Sequence, residues 1–303
     1  MKIRRRSVLS LLGLPALAAR ATAAEAPRPV GAEGSVEPVR NWDFGTAPGS
    51  TIRDKAALGR EFHFRYIYEG GRLDGLPNNY WSRHRDYPEG DPRSLHVFHD
   101  DHLALRARIP PGGGLRQDGI ESGMLRAKLP VVPGMYIEMR AWLPRGVGTW
   151  PAFWLNPGVQ REDGSFSELP WPPEIDIFEF FNWAGRRSSR VMASGVQTNG
   201  KDAEFGHPRD LFTLFRNGEY EPGIDFSAGW HVFALDWVPD RPTWMLDGRM
   251  IRRMHYEWHA PPAHILVTNQ IGMNFPNVDL TGMGAPGDDW DYRLDYLRVW
   301  RRA

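Results

Sequence analysis

Short segments that alternate apolar and polar residues, each ended by turn residues, constrain the fold of this chain more than any other feature. Alternation with a period of two is typical of strands buried on one face. Such segments recur about every ten residues and no helical period is sustained, which indicates an all-β sandwich or barrel. The 32 glycines and 26 prolines are suited to the many turns that such a fold needs. The clearest alternating segments are 103–108, 135–142, 231–237, 243–246 and 292–300, and long loops are predicted at 70–95 and 274–290.

Composition excludes several classes of protein. The 303 residues contain no cysteine, which rules out disulfide scaffolds, cysteine-ligated zinc, iron–sulfur clusters and thiol catalysis. Lys+Arg and Asp+Glu both number 37, but five of the basic residues lie within the first 23 residues. The rest of the chain therefore has no basic excess, which argues against a nucleic-acid partner. Thirteen tryptophans fit either a large core or a surface for flat ligands such as sugars.

The N-terminus has the pattern of an export signal. A basic cluster at Arg4–Arg6 precedes an apolar run from Leu11 to Ala19, and Ala21-Thr22-Ala23 forms a small-x-small cleavage site. The apolar run is shorter than the roughly 20 residues that span a bilayer. The paired arginines resemble a twin-arginine signal, with a Sec signal or an uncleaved anchor as alternatives.

This pattern predicts three regions: an export signal at 1–23, a flexible leader at 24–38 and a single folded β-sandwich domain at 39–303. After removal of the signal, we expect a periplasmic or extracellular protein without membrane insertion.

Three carboxylates interrupt the strand-like segment Glu174-Ile175-Asp176-Ile177-Phe178-Glu179. Glu174 and Asp176 share one face of a strand, whereas Glu179 has the opposite parity. A one-residue bulge between Asp176 and Glu179 would return Glu179 to the acidic face. Mutual repulsion would then raise at least one pKa and leave a protonated acid beside a carboxylate, the pair that glycoside hydrolysis requires. An edge strand with solvated acids, or a carboxylate calcium site, fits the same spacing.

Several other segments join the acidic strand in a resemblance to a known family. They are Trp42-Asp43-Phe44, the segment from Leu143 to Leu155 that contains Trp150-Pro151-Ala152-Phe153-Trp154, Trp230–Trp237, Trp244–Gly248 and Asp295–Trp300. In this order along residues 40–301, and with Glu174–Glu179 matching E-[ILV]-D-x-x-E, the chain resembles the family-16 glycoside hydrolases, the laminarinases and lichenases. The resemblance implies a concanavalin A-like β-jelly roll of two curved antiparallel sheets with long loops.

The resemblance also implies roles for individual residues. Glu174 corresponds to the nucleophile of a retaining mechanism, Glu179 to the acid/base and Asp176 to an assisting carboxylate. Three tryptophans, Trp150, Trp154 and Trp171, are expected to stack on sugar rings. The family carries a histidine on the following strand, and Gln197 or Asn199 takes that hydrogen-bonding position here. Asp295 corresponds to a ligand of a structural calcium ion, and no cofactor is required for catalysis.

The predicted function is therefore a secreted, monomeric, endo-acting hydrolase of β-1,3 or mixed β-1,3/1,4-glucan. Two alternatives remain open. One is hydrolysis of another polysaccharide, such as an agar- or carrageenan-type galactan or a bacterial exopolysaccharide. The other is a non-catalytic carbohydrate-binding protein on the same fold, which the retention of all three carboxylates disfavours.

Overall fold

The computed structural model describes residues 28–303 apart from several short segments: 33, 66–80, 117, 161–165, 169–172, 184–187, 203–205, 257–261, 273–281, 283, 285–286 and 288–289. The predicted export signal, residues 70–80 of the first predicted loop and most of the second predicted loop lie outside the described residues. Among the helices that are described, none is long and apolar enough to cross a bilayer.

The described elements are mostly short strands. Two short helices accompany them, α1 (Lys55–Glu61) and a 3₁₀ turn at Ser188–Arg190. The strands are β1 (Val36–Asp43), β2 (Phe62–His63), β3 (Ser82–His84), β4 (His96–Phe98), β5 (Leu103–Leu105), β6 (Ala107–Arg108), β7 (Ile120–Ser122), β8 (Met124–Val131), β9 (Met135–Trp142), β10 (Thr149–Gln160), β11 (Phe166–Glu168), β12 (Glu174–Glu179), β13 (Met192–Gln197), β14 (Arg209–Thr213), β15 (Glu219–Tyr220), β16 (His231–Val238), β17 (Arg241–Leu246), β18 (Arg249–His255), β19 (Ala263–Ile271) and β20 (Tyr292–Arg302).

Two large antiparallel sheets form the sandwich and confirm the predicted all-β class. The nine-stranded sheet has the order β14-β18-β17-β16-β9-β20-β5-β4, with β1 paired to β20. The eight-stranded sheet has the order β15-β13-β12-β10-β19-β8-β2, with β11 paired to β10. A small third sheet, β3-β7-β6, contains a parallel pair, β3 with β7, that the sequence does not predict.

Local sequence accounts for much of this architecture. The strand predicted at 135–142 is β9 with the same limits. The turn at Asp247-Gly248 joins β17 to β18 with φ values of 47° and 75°, the left-handed conformation that a tight hairpin requires and that Asp and Gly tolerate. Helix α1 was not predicted, although Asp54 caps it by accepting a hydrogen bond from the Ala57 amide at 2.6 Å.

The N-terminal segment packs on the outer face of the nine-stranded sheet. The Val30 amide donates to Oε2 of Glu138 at 2.6 Å, and the Tyr136 hydroxyl donates to the Val30 carbonyl at 2.7 Å. Strand β1 begins at Val36 and pairs with β20. The first strand therefore includes residues that the sequence assigns to the leader.

The core lies between the two large sheets and determines which side chains face outward. On β12, Ile175, Ile177 and Phe178 all belong to this core. Two consecutive residues, Ile177 and Phe178, point inward, so the alternation of the strand shifts by one residue. The carboxylates on either side of them consequently share the outer face.

Candidate active site

A β-bulge on β12 brings the three predicted carboxylates to one face. Against β10, Phe178 pairs with Phe153 and Asp176 with Trp154, which leaves Ile177 as the extra residue. Against β13, Asp176 pairs with Gly195 and Glu179 with Ala193, so three steps on one strand match two on the other. This is the bulge that the sequence predicts. The face that carries Glu174, Asp176 and Glu179 is called the acidic face below.

Glu179 is held by a tryptophan of the neighbouring strand. The Trp150 indole nitrogen donates to Oε1 of Glu179 at 3.0 Å. The Trp150 ring packs against Phe181, with 5.1 Å between ring centroids. Burial and the negative charge of Glu174 raise the pKa of Glu179 to about 8, and the hydrogen bond from Trp150 partly offsets this rise. Glu179 therefore holds a proton at neutral pH.

Asp176 lies between the two glutamates and is buried, with 2% of its surface exposed. Burial, then the charges of Glu179 and Glu174, hold its pKa well above the usual range of an aspartate, while a hydrogen bond from Gln197 acts in the opposite direction. Its Oδ2 atom has no hydrogen-bond partner among the described residues. The sequence predicts that at least one of these pKa values is raised, and those of Glu179 and Asp176 both are.

The predicted tryptophans fall into two groups. Trp150 and Trp154 lie on the acidic face of β10, where Trp154 is opposite Asp176 and its indole nitrogen donates to Thr268 Oγ1 at 3.2 Å. Trp154 also packs against Met124 and Leu266 and remains partly exposed. Trp171 lies outside the described residues.

Gln197 and Asn199 have different positions. Gln197 is paired with Glu174 across β12 and β13, and its side chain hydrogen-bonds Asp176, so it belongs to the site. Asn199 lies in the turn after β13 with a φ of 48°, a left-handed conformation that asparagine tolerates. Its position is accounted for by the turn, and whether it also contacts substrate stays a prediction.

The predicted calcium ligand Asp295 is an ion-pair partner of Arg140. Among the residues that the structure describes, no group of three or more His, Asp or Glu side chains is arranged to hold a metal ion. Backbone carbonyls also bind calcium, so calcium at Asp295 stays a prediction. The guanidinium of Arg140 supplies positive charge to this carboxylate.

Sequence reasoning missed two residues beneath the acidic face, Trp244 on β17 and Arg252 on β18. The Trp244 indole nitrogen donates to the Asp176 carbonyl at 2.7 Å, and Arg252 donates to the Ser194 carbonyl. Trp244 belongs to a segment that carries the family resemblance, but its contact crosses between the sheets. No local sequence pattern indicates such a contact.

Comparison with known proteins agrees with this geometry. The sequence profile described as "Glycosyl hydrolases family 16" matches residues 101–276. A glucan endo-1,3-beta-glucosidase from Cryptopygus antarcticus is 36% identical over 113 residues, which cover 37% of this chain and 36% of that protein. The endo-1,3-1,4-beta-glycanase EglC from Rhizobium meliloti is 30% identical over 168 residues, covering 54% and 30% of the two chains. The matched regions span about a third of the length of these curated relatives.

Solved structures support the fold. The catalytic domain of an endo-1,3-beta-glucanase (laminarinase) from Thermotoga petrophila superposes with a TM-score of 0.61 at 21% identity, covering 89% of this chain and 99% of that one. At this identity the likeness speaks for the fold alone. It confirms the jelly-roll sandwich that the sequence resemblance implies.

Proposed function

The chain belongs to glycosyl hydrolases family 16, and we propose that it is an endo-acting, retaining hydrolase of β-1,3 or mixed β-1,3/1,4-glucan. The observation that carries the proposal is the bulge at Ile177, which places Glu174, Asp176 and Glu179 on one face. The raised pKa of Glu179 adds to it, because a general acid must hold its proton near neutral pH. The names of the relatives supply the substrate class.

In the proposed mechanism, Glu174 attacks the anomeric carbon while Glu179 donates its proton to the departing glycosidic oxygen. A covalent glycosyl–enzyme intermediate forms, and the negative charge of Glu174 disappears. Because that charge contributes to the raised pKa of Glu179, its loss lowers the pKa and prepares Glu179 to accept a proton from water. The water then releases the sugar with the β configuration retained.

Asp176 and the tryptophans support this chemistry in the proposal. Asp176 lies between the two glutamates, and burial with their charges raises its pKa, which favours its protonated form. Its unpartnered Oδ2 atom is available to hydrogen-bond the nucleophile or a sugar hydroxyl. Trp150 and Trp154 flank the acids on the same face and offer apolar surface to sugar rings.

The proposal is tested with a panel of polysaccharides and detection of new reducing ends. We expect rapid release of mixed oligosaccharides from laminarin or lichenan, and none from agar or carrageenan. Glu174→Gln is the matched inactive control. Proton NMR of the first products should show the β anomer before mutarotation. An initial α anomer contradicts retention, and binding without turnover supports the carbohydrate-binding alternative.

We also propose that the protein is exported through a twin-arginine signal and acts as a monomer outside the cytoplasm. The support is the Arg4–Arg6 cluster, the short apolar run and the cleavage pattern at Ala21–Ala23. Replacing Arg5 and Arg6 with lysine should retain the precursor inside the cell. Unchanged export of that variant contradicts the twin-arginine route.

A further inference from the structure

Two side chains of the nine-stranded sheet reach through the core to the backbone around the bulge. The Trp244 indole donates to the Asp176 carbonyl at 2.7 Å, and the Arg252 guanidinium donates to the Ser194 carbonyl. Trp244 and Arg252 are cross-strand neighbours on β17 and β18, with the guanidinium carbon 6.0 Å from the indole centroid. They form one unit, which is called the bulge clamp below.

The two carbonyls that the bulge clamp holds lie side by side on β12 and β13. Asp176 is paired with Gly195, the residue after Ser194. Gly195 has a φ of 143°, and a Cβ atom at this position would lie 2.8 Å from Nη1 of Arg252. This φ favours glycine, and the missing side chain leaves room for the guanidinium.

The contact from Trp244 acts on the peptide group where the register changes. The Asp176 carbonyl belongs to the peptide that leads into Ile177, the extra residue of the bulge. A bulge locally disrupts the ladder of backbone hydrogen bonds, and a buried carbonyl without a donor is costly. Trp244 is fully buried, so its indole N–H is a donor that water cannot replace.

We propose that Trp244 is a positioning residue for the hydrolytic reaction: by holding the Asp176–Ile177 peptide, it keeps the bulge in the register that turns Glu179 toward Glu174. Arg252 holds the adjacent strand in the same way. The inference rests on the proposed roles of the two glutamates. Without the bulge, Glu179 would follow the parity of Ile175 and point away from the acidic face.

The charged groups around Glu179 indicate that replacing Trp244 would act on Glu179 through its position and not through a change of charge. On its own strand Glu179 faces Glu174 and Asp176, and from β10 it receives the Trp150 hydrogen bond. From β13 its neighbour is the uncharged Ala193, with Gln197 further along the strand. The charge of Arg252 is balanced by Asp210, whose Oδ1 accepts from Arg252 Nε at 2.7 Å. Trp244 itself is neutral, so its replacement changes the position of Glu179 and adds or removes no charge.

The test compares Trp244→Phe with Trp42→Phe. Trp42 is equally buried and donates its indole N–H to Glu61 at 3.0 Å, far along the chain from the bulge. Both variants lose one buried donor and should melt at lower temperature. At a temperature at which Trp244→Phe is folded, we expect its kcat to fall about 10²-fold with KM little changed. A small misplacement of a catalytic group has an effect of that size. In Trp42→Phe, kcat should stay at the wild-type value.

A second readout needs no substrate. NMR titration of protein labelled at the glutamate carboxyl carbons measures the pKa of Glu179. It should be lower in Trp244→Phe, because Glu179 moves away from the charge of Glu174, and it should be unchanged in Trp42→Phe. An unchanged titration together with wild-type kcat overturns the proposal. If the wild type hydrolyses no glucan, the titration still decides the positioning role, and the failure belongs to the proposed function. If Trp244→Phe does not fold, both measurements are made with benzothienylalanine at position 244. This residue keeps the ring shape and removes only the N–H.

Discussion

The indole nitrogen of Trp150 lies 3.0 Å from Oε1 of Glu179, on the strand next to the acidic one. An N–H donor stabilises the ionised carboxylate and so lowers its pKa. Burial and the charge of Glu174 act in the opposite direction and prevail, giving a pKa of about 8. Trp150 therefore limits how strongly Glu179 retains its proton.

The first prediction is that Trp150→Phe moves the basic limb of the pH–rate profile to higher pH. The variant loses the hydrogen bond that favours ionised Glu179, so the acid/base stays protonated to higher pH, by about one unit if the bond contributes about 1.4 kcal/mol. The profile of kcat/KM against pH measures the shift. Trp154→Phe is the matched control, because the Trp154 indole donates to the Thr268 hydroxyl. A shift of the limb to lower pH in Trp150→Phe contradicts the assignment.

The second prediction is that the three carboxylates contribute unequally. Glu179→Gln should lower turnover of polysaccharide about 10²- to 10⁴-fold, the usual contribution of general acid catalysis. It should have a much smaller effect on an aryl glycoside, whose leaving group needs no proton. Glu174→Gln should abolish turnover of both substrates. Asp176→Asn should retain more activity than either, since Asp176 assists the two glutamates in the proposed mechanism and the amide has a similar shape. If Glu174→Gln hydrolyses polysaccharide near the wild-type rate, Glu174 is not the nucleophile.

The third prediction concerns stability against pH. The pKa of Glu179 is raised in the folded protein from an ordinary value near 4.5 to about 8. The contribution of this proton to stability is fully present below the unfolded pKa and is lost as pH rises toward the folded pKa. The Tm of Glu179→Gln, relative to that of the wild type, should therefore increase between about pH 4.5 and pH 8. A Tm difference that stays constant over this range contradicts the raised pKa.

The fourth prediction is that buried histidines make the fold acid-sensitive. Burial first, then the nearby Lys55 charge, lower the pKa of His96 to about 3, and burial lowers that of His84 to about 4. As pH falls below the ordinary value near 6.5, these histidines gain a proton in the unfolded state but stay neutral in the folded state. The stability of the fold should therefore decrease with decreasing pH.

His96→Gln should weaken this dependence and should also lower stability at pH 7, because His96 contacts the Met124 carbonyl at 2.9 Å and Lys55 Nζ at 3.0 Å. Urea unfolding at several pH values measures both effects. An equally steep pH dependence in the variant shows that other groups are responsible.

Local pattern was sufficient for the acidic strand and for some elements of the nine-stranded sheet. The residues between Glu174 and Glu179 contain one apolar residue too many for strict alternation, which predicts the bulge before any neighbouring strand is known. The limits of β9 and the turn at Asp247-Gly248 follow from alternation and turn chemistry in the same way. These features depend on residues within a few positions of one another.

Other features depend on partners that are distant in the chain. The parallel pairing of β3 with β7 joins residues about forty positions apart, and neither short strand has a distinctive pattern. The predicted strand at 103–108 is divided at Arg106, whose amide donates to the Leu95 carbonyl and whose carbonyl accepts from the Gly123 amide, each at 2.9 Å. Gln197 was expected in the site only as one of two options, with Asn199, because its pairing with Glu174 requires the register of β13.

Amino-acid order alone determined that three carboxylates occupy one strand and that the alternation between Asp176 and Glu179 is interrupted, because side-chain direction along a strand follows from backbone geometry. Tertiary structure decided what holds that interruption in place. Trp244 is 68 positions from Asp176 along the chain, and their 2.7 Å contact exists only after two sheets have packed face to face. The packing aligns an indole N–H with one buried carbonyl, and that alignment depends on the registers of strands throughout both sheets, which no local pattern encodes.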